Sequence, residues 1–193
     1  WLIEDCKKYG TSSFAGLARC GFIAMEILNS LVEENIISES KKKNFIENIS
    51  TITSEMKSDV SKLSKKDFLF KYGHLRPGTY EITSANYRDN FDLYFGKNYK
   101  KNKKYLKKNK IINLDIPTKK IGIYKSSSQL LNFIKDSIVY REYSKFIFTK
   151  SIDLVFENLK KFGKKYNIKV EELAYLKINR IMEMYFNLDS IKN

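Results

Sequence analysis

The residues best equipped for chemistry crowd into one stretch, Lys71-Tyr-Gly-His-Leu-Arg-Pro-Gly-Thr-Tyr-Glu-Ile-Thr-Ser-Ala-Asn-Tyr-Arg-Asp89. It contains the chain's only histidine, His74, one of its two prolines, Pro77, and the arginines Arg76 and Arg88, with Glu81, Asp89, Tyr72, Tyr80 and Tyr87 between and around them. An imidazole titrates near neutrality and can pass protons or hold a phosphate. Two guanidinium groups suit an anionic ligand. Pro77 keeps Arg76 extended, while Gly73 and Gly78 allow tight turns and close approach of backbone to a ligand. A structural reading stands beside this one: a lone histidine next to leucine is often a hydrogen-bonded core residue. Arg76 and Arg88 could equally clamp Glu81 or Asp89, and the tyrosines are better walls than catalysts.

A second set lies on a helical pattern further along. Leu131, Ile134, Ile138, Arg141, Lys145, Phe148, Ile152, Val155, Leu159 and Phe162 recur at three- and four-residue spacing, and only Arg141 and Lys145 are polar. Two cations one turn apart on a core-facing stripe are costly unless an anion meets them. Glu142 supplies one such charge in a structural ion pair; a bound carboxylate or phosphate is the functional alternative. Arg19, isolated on the most apolar stretch, raises the same question, with Glu26 two turns later on a similar face. The expectation is one anion site with His74 and Arg76 in catalysis, and Arg19, Glu26, Tyr80, Glu81, Arg88, Arg141, Glu142 and Lys145 in binding.

The elements that must position these groups read as all-α: one multi-helix domain over residues 1–193, with a long irregular functional loop at about 72–96 and a long helix in the C-terminal half. Apolar spacing predicts a deeply buried helix over 12–36, capped by Ser12 or Ser13, and another over 38–63. Ser64 should cap a short helix carrying Phe68 and Leu69. Gly73, Pro77 and Gly78 then break helicity. Residues 97–125 read as a basic linker with a short extended piece at 121–124. The helical pattern resumes from Ser127 to about Tyr166, and one or two shorter helices follow over 170–186.

Composition narrows the partners. Apolar residues at 42% and aromatics at 14% argue for a folded domain rather than disorder. Apolar runs are broken by charge before 18 residues, so no transmembrane helix is expected. Two cysteines, Cys6 and Cys20, and one histidine offer no metal-ligand spacing, which points to free thiols, no metal site and a reducing cytoplasm. The net charge of +14 draws eight of its charges from the lysines between Lys97 and Lys110, leaving +6 (14 − 8) elsewhere. Such a run usually forms a solvated face, so nucleic acid is not the expected partner. The chain opens on Trp1 rather than Met and carries no signal peptide, which reads as a piece of a longer polypeptide.

Tyr72-Gly-His-Leu-Arg-Pro-Gly-Thr-Tyr-Glu-Ile82 followed by Asn86-Tyr-Arg-Asp89 resembles the central region of phosphoenolpyruvate-synthase-like enzymes, relatives of pyruvate phosphate dikinase. Phe14-Ala-Gly-Leu-Ala-Arg-Cys-Gly-Phe-Ile23, Arg141-Glu-Tyr-Ser-Lys-Phe-Ile-Phe-Thr149 and Glu172-Leu-Ala-Tyr-Leu176 are similar to the same subgroup, in the same order. The resemblance implies three cooperating parts: an ATP-grasp domain, an acceptor-binding domain and a swivelling domain whose histidine carries the phosphoryl group. This chain lacks a glycine-rich ATP-grasp segment and a Thr-Ser-His-Ala type motif, so His74 does not match the carrier histidine. The implied role is the acceptor-side domain, inactive alone, with ATP and Mg2+ handled elsewhere in the full-length enzyme. In overall similarity and its Lys/Asn/Ile-rich style the chain is most like the subgroup that phosphorylates the amide nitrogen of L-glutamine for capsule phosphoramidate synthesis. Pyruvate or another small acceptor, or a non-catalytic helical scaffold between the other domains, are the alternatives.

Overall fold

A computed structural model describes residues 2–96, 114–122 and 126–183, apart from the side chain of Met182. The fold is all-α, with no strand among the described residues. The chain begins with α1 (Leu2–Asp5), a π-helical turn (Cys6–Thr11) and α2 (Ser12–Glu33). The three run on without a break: Asp5, Thr11 and Ser12 all have right-handed helical backbone, so the expected serine cap at the start of α2 does not form.

The predicted helix over 38–63 is two helices, α3 (Glu39–Glu47) and α4 (Ile52–Lys62). The amide of Asn48 reaches back to the Asn44 carbonyl at 2.8 Å, giving that helix end a side-chain donor. Thr51 then turns extended and starts α4 with a reciprocal capping box: its hydroxyl accepts from the Ser54 amide, while Ser54 Oγ accepts from the Thr51 amide at 2.9 Å. Ser64 caps α5 (Lys65–Tyr72) as its sequence suggests. The irregular loop closes earlier than expected, at α6 (Phe91–Phe95).

The long helix is α7 (Ser127–Tyr166), 40 residues and about 60 Å long at 1.5 Å per residue. Ser126 opens it with a capping box to Gln129. It ends where Asn167 adopts left-handed backbone, at φ 57°, and Ile168 N–H donates to the Gly163 carbonyl at 2.8 Å. Short helices α8 (Val170–Leu173) and α9 (Ile178–Glu183) follow.

Two clusters fill the interior, and α7 enters both. The first joins Ala24, Leu28 and Leu31 of α2 to Ile37, Ile49, Leu130, Ile134 and Ile138. Leu114 and Ile116, expected within a linker, complete it. Ile121 and Gly122, predicted to start an extended piece, lie in a turn, and the lysine tract between Lys97 and Lys110 lies outside the described residues. The second cluster is aromatic: Phe68 and Tyr72 of α5, Phe91 of α6 and Phe146 of α7. Tilted and edge-on ring pairs at 4.9–5.9 Å bind it together.

Helix α2 lies against α7, where Gly21 admits the Arg141 side chain. A methyl at Gly21 would come within 2.9 Å of Arg141 Cδ. Only one face of α2 is buried; Phe22 and Ile23 on the other are 66% and 53% exposed, so the helix is not deep on all sides. The stretch Leu2–Glu33 is also long and apolar enough to span a bilayer by length and composition, contrary to the sequence expectation, because Arg19 and Glu26 are too few to disqualify it.

Candidate functional site

The loop 73–90 folds back on itself before meeting α7. The Tyr87 amide donates to the Leu75 carbonyl at 2.8 Å and the Arg88 amide to the Gly73 carbonyl at 3.1 Å. Gly73 is required where α5 ends, since a side chain there would strike the Leu69 carbonyl. Asn86, fully buried, accepts from the Asp89 amide at 2.8 Å and shapes the return.

The loop is bolted to α7 by Asp153, a carboxylate 2% exposed. Oδ1 of Asp153 accepts from the Arg76 guanidinium and from Asn86 Nδ2, the latter at 2.9 Å. Oδ2 meets Arg88 at 3.3 Å. A second arm of Arg76 donates to the Ser84 carbonyl at 3.1 Å, and its guanidinium lies 5.0 Å from the centre of the Phe156 ring. Arg76 is therefore a buried clamp with its charge matched, the structural member of the two readings. Its carboxylate partner is neither Glu81 nor Asp89.

His74 is 6% exposed and sits edge-on to Phe146. Its Nε2 lies 3.0 Å from the Phe146 carbonyl, which can only accept, so Nε2 carries the hydrogen and Nδ1 is left as an acceptor. Burial pushes its pKa down to about 4, assisted by nearby Lys150 and opposed by the hydrogen bond to Phe146. The ring is neutral at physiological pH. It can accept a hydrogen bond but holds no proton that it gives up readily.

These groups border a cavity of about 210 Å³ between the loop, α4 and α7. His74, Arg76, Glu142 and Lys145 line it together, with Thr53 and Met56 of α4 and Thr149 of α7. The loop and the long helix thus border one cavity. Lys145 is exposed rather than buried, so its cation carries no burial penalty and faces the opening. Glu142 is partly buried, and its Oε2 accepts from the Thr53 amide at 3.4 Å. Among the described residues neither has an ion-pair partner.

The other predicted residues lie elsewhere. Tyr80 and Glu81 border a separate, largely apolar cavity of about 490 Å³, alongside Ile3, Cys6, Phe156 and Leu173. Arg88 covers Asp153 from the solvent side and is half exposed. Arg141 crosses Gly21, on the α2 side of the long helix. Arg19 and Glu26 are exposed on the outer face of α2. The expected convergence of Arg19, Arg141 and Lys145 does not occur: Arg19 lies on the outer face of α2, Arg141 packs over Gly21, and of the three only Lys145 borders the cavity.

Asp153, Asn86 and Thr149 were missed. Asp153 interrupts the apolar run Ile152-Asp-Leu-Val155, a sign that a cation must come to it, but nothing local says which one. Cys6 and Cys20 are free and partly buried, and no grouping of three or more metal-ligating side chains occurs among the described residues. No family model, curated protein or solved structure matches the chain.

Proposed function

We propose that the 210 Å³ cavity receives a small amino acid acceptor, with L-glutamine the favoured one, and that the domain serves a phosphotransferase whose phosphohistidine is carried on a separate swivelling domain. The observation that supports this most is the trio of Lys145, Glu142 and neutral His74 around one small opening. A zwitterionic amino acid needs a cation for its α-carboxylate and an anion for its α-ammonium, and Lys145 and Glu142 stand one turn apart on α7. The cavity is smaller than the roughly 300–1,000 Å³ of drug-sized sites, which suits a metabolite of this class.

His74 Nδ1 then accepts a hydrogen bond from the side-chain amide N–H, orienting its nitrogen toward the incoming phosphoryl group. Phosphoryl transfer depends mainly on positioning and charge, so orientation is the domain's contribution. Arg76 acts only through His74 and the loop it secures. ATP and Mg2+ belong to the other domains in this reading.

Calorimetry on the 193-residue chain with glutamine and with pyruvate tests it. Glutamine should bind, Glu142→Gln and Lys145→Ala should each weaken it about tenfold, equivalent to about 1.4 kcal/mol, and pyruvate should bind less well. Pyruvate binding that ignores Glu142→Gln would favour a phosphoenolpyruvate-forming relative. Binding of neither would favour a scaffold. In the full-length enzyme, phosphorus NMR with ATP and glutamine should show a phosphoramidate.

A further inference from the structure

The outer face of α2 has no partner among the described residues, and its pattern is symmetric. Phe22 and Ile23, 66% and 53% exposed, sit at its centre. Arg19 lies three residues before the pair and Glu26 three residues after it, both exposed and all four on one helical stripe. Arg19 and Glu26 are separated by two turns, too far to neutralise one another along their own helix. Neither has an ion-pair partner among the described residues.

A second copy of α2 laid antiparallel across this stripe, with its two-fold axis between Phe22 and Ile23, meets every group with its complement. Phe22 faces the other copy's Ile23, and Arg19 faces its Glu26, twice per pair. Such self-complementarity is what an isologous interface requires. A third feature points the same way. Gly16 is exposed on this helix, and a methyl added there would touch nothing within 4 Å. Among the described residues nothing needs glycine at a position where alanine would favour the helix by about 1 kcal/mol. Close approach of another helix does need it.

We infer that the outer face of α2 is a homodimer interface, formed by antiparallel pairing of two copies through Phe22 and Ile23 and fixed in register by reciprocal Arg19–Glu26 ion pairs. One helix face is well below the ~800 Å² per partner of a standard interface, so the pairing is weak and its register depends on the charges.

Sedimentation of the 193-residue chain over a wide concentration range tests this. The wild-type chain should dimerise reversibly. Arg19→Glu and Glu26→Arg, each placing like charges opposite one another, should each raise the dissociation constant about tenfold or more, and circular dichroism should show both folded. The double variant should regain wild-type affinity. An equimolar mixture of the two single variants should form heterodimers, because each then faces its complement. A wild-type chain that stays monomeric, or single reversals that leave association unchanged, would overturn the inference. So would association with neutral phosphatidylcholine vesicles in place of dimerisation, since the face would then be a membrane contact.

Discussion

His74 links local environment to a measurable pH dependence. Its pKa falls from an ordinary 6.5 in the unfolded chain to about 4 in the folded one. Between these values the unfolded chain binds the proton and the folded chain does not, so stability is full above about pH 6.5 and declines as pH falls toward 4. The loss attributable to this residue is on the order of 3 kcal/mol. His74→Gln removes the titration while keeping an N–H for the Phe146 carbonyl. The difference between wild-type and variant unfolding free energies, measured by denaturant titration at pH 7 and pH 4, should therefore shrink or reverse on acidification. A constant difference would show that His74 is not the group protonated on unfolding. The same low pKa bears on the chemistry read from the sequence: the neutral ring offers Nδ1 as a hydrogen-bond acceptor rather than a proton to give.

At the level of elements, Asp153 on α7 is the hub that holds the loop 73–90, beside the His74–Phe146 hydrogen bond and the Lys160–Asp89 ion pair. Asp153→Ala leaves the buried Arg76 unpaired and should destabilise the protein by about 3–5 kcal/mol. Hydrogen exchange should speed up first at the Leu75–Tyr87 and Gly73–Arg88 backbone hydrogen bonds and leave the first core cluster protected if opening is local. Uniform acceleration would mean that the loop and core open as one unit. The helices themselves were largely legible: α5 and α7 follow from caps and spacing, and α2 from its apolar repeat. The break at Asn48–Thr51 was not, because it rests on asparagine and threonine hydrogen bonds rather than on glycine or proline. Lys145 departs from its stripe: Arg141 before it and Phe148 after it pack on the N-terminal helices, at Gly21 and Phe14, whereas Lys145 is exposed and borders the small cavity, a difference of side-chain direction that three- and four-residue spacing does not resolve. Asp153 and Arg76 are 77 residues apart, and no local pattern pairs residues at that distance.

For the whole molecule, the decisive fact is that both clusters bury side chains of the same helix. Ile134, fully buried, belongs to the first, and Phe146 to the second. Ile134→Ala should cost about 2–5 kcal/mol and Phe68→Ala about 3–5 kcal/mol. Each should shift a single thermal transition, followed at far- and near-ultraviolet wavelengths alike, rather than split it in two. Two separated transitions would mean that the clusters fold independently despite their common helix. An unbroken rod held at both ends leaves no hinge between the two halves. The wall of the small cavity that α7 provides is therefore fixed, and so is the loop wall that Asp153 ties to it. The α4 side is tied as well: Asp59 accepts from Lys71 Nζ at 2.9 Å and from the Tyr72 hydroxyl at 2.8 Å, and Ile52, Met56 and Val60 pack against the aromatic cluster, so all three walls of the small cavity are braced and its shape is set before anything enters it.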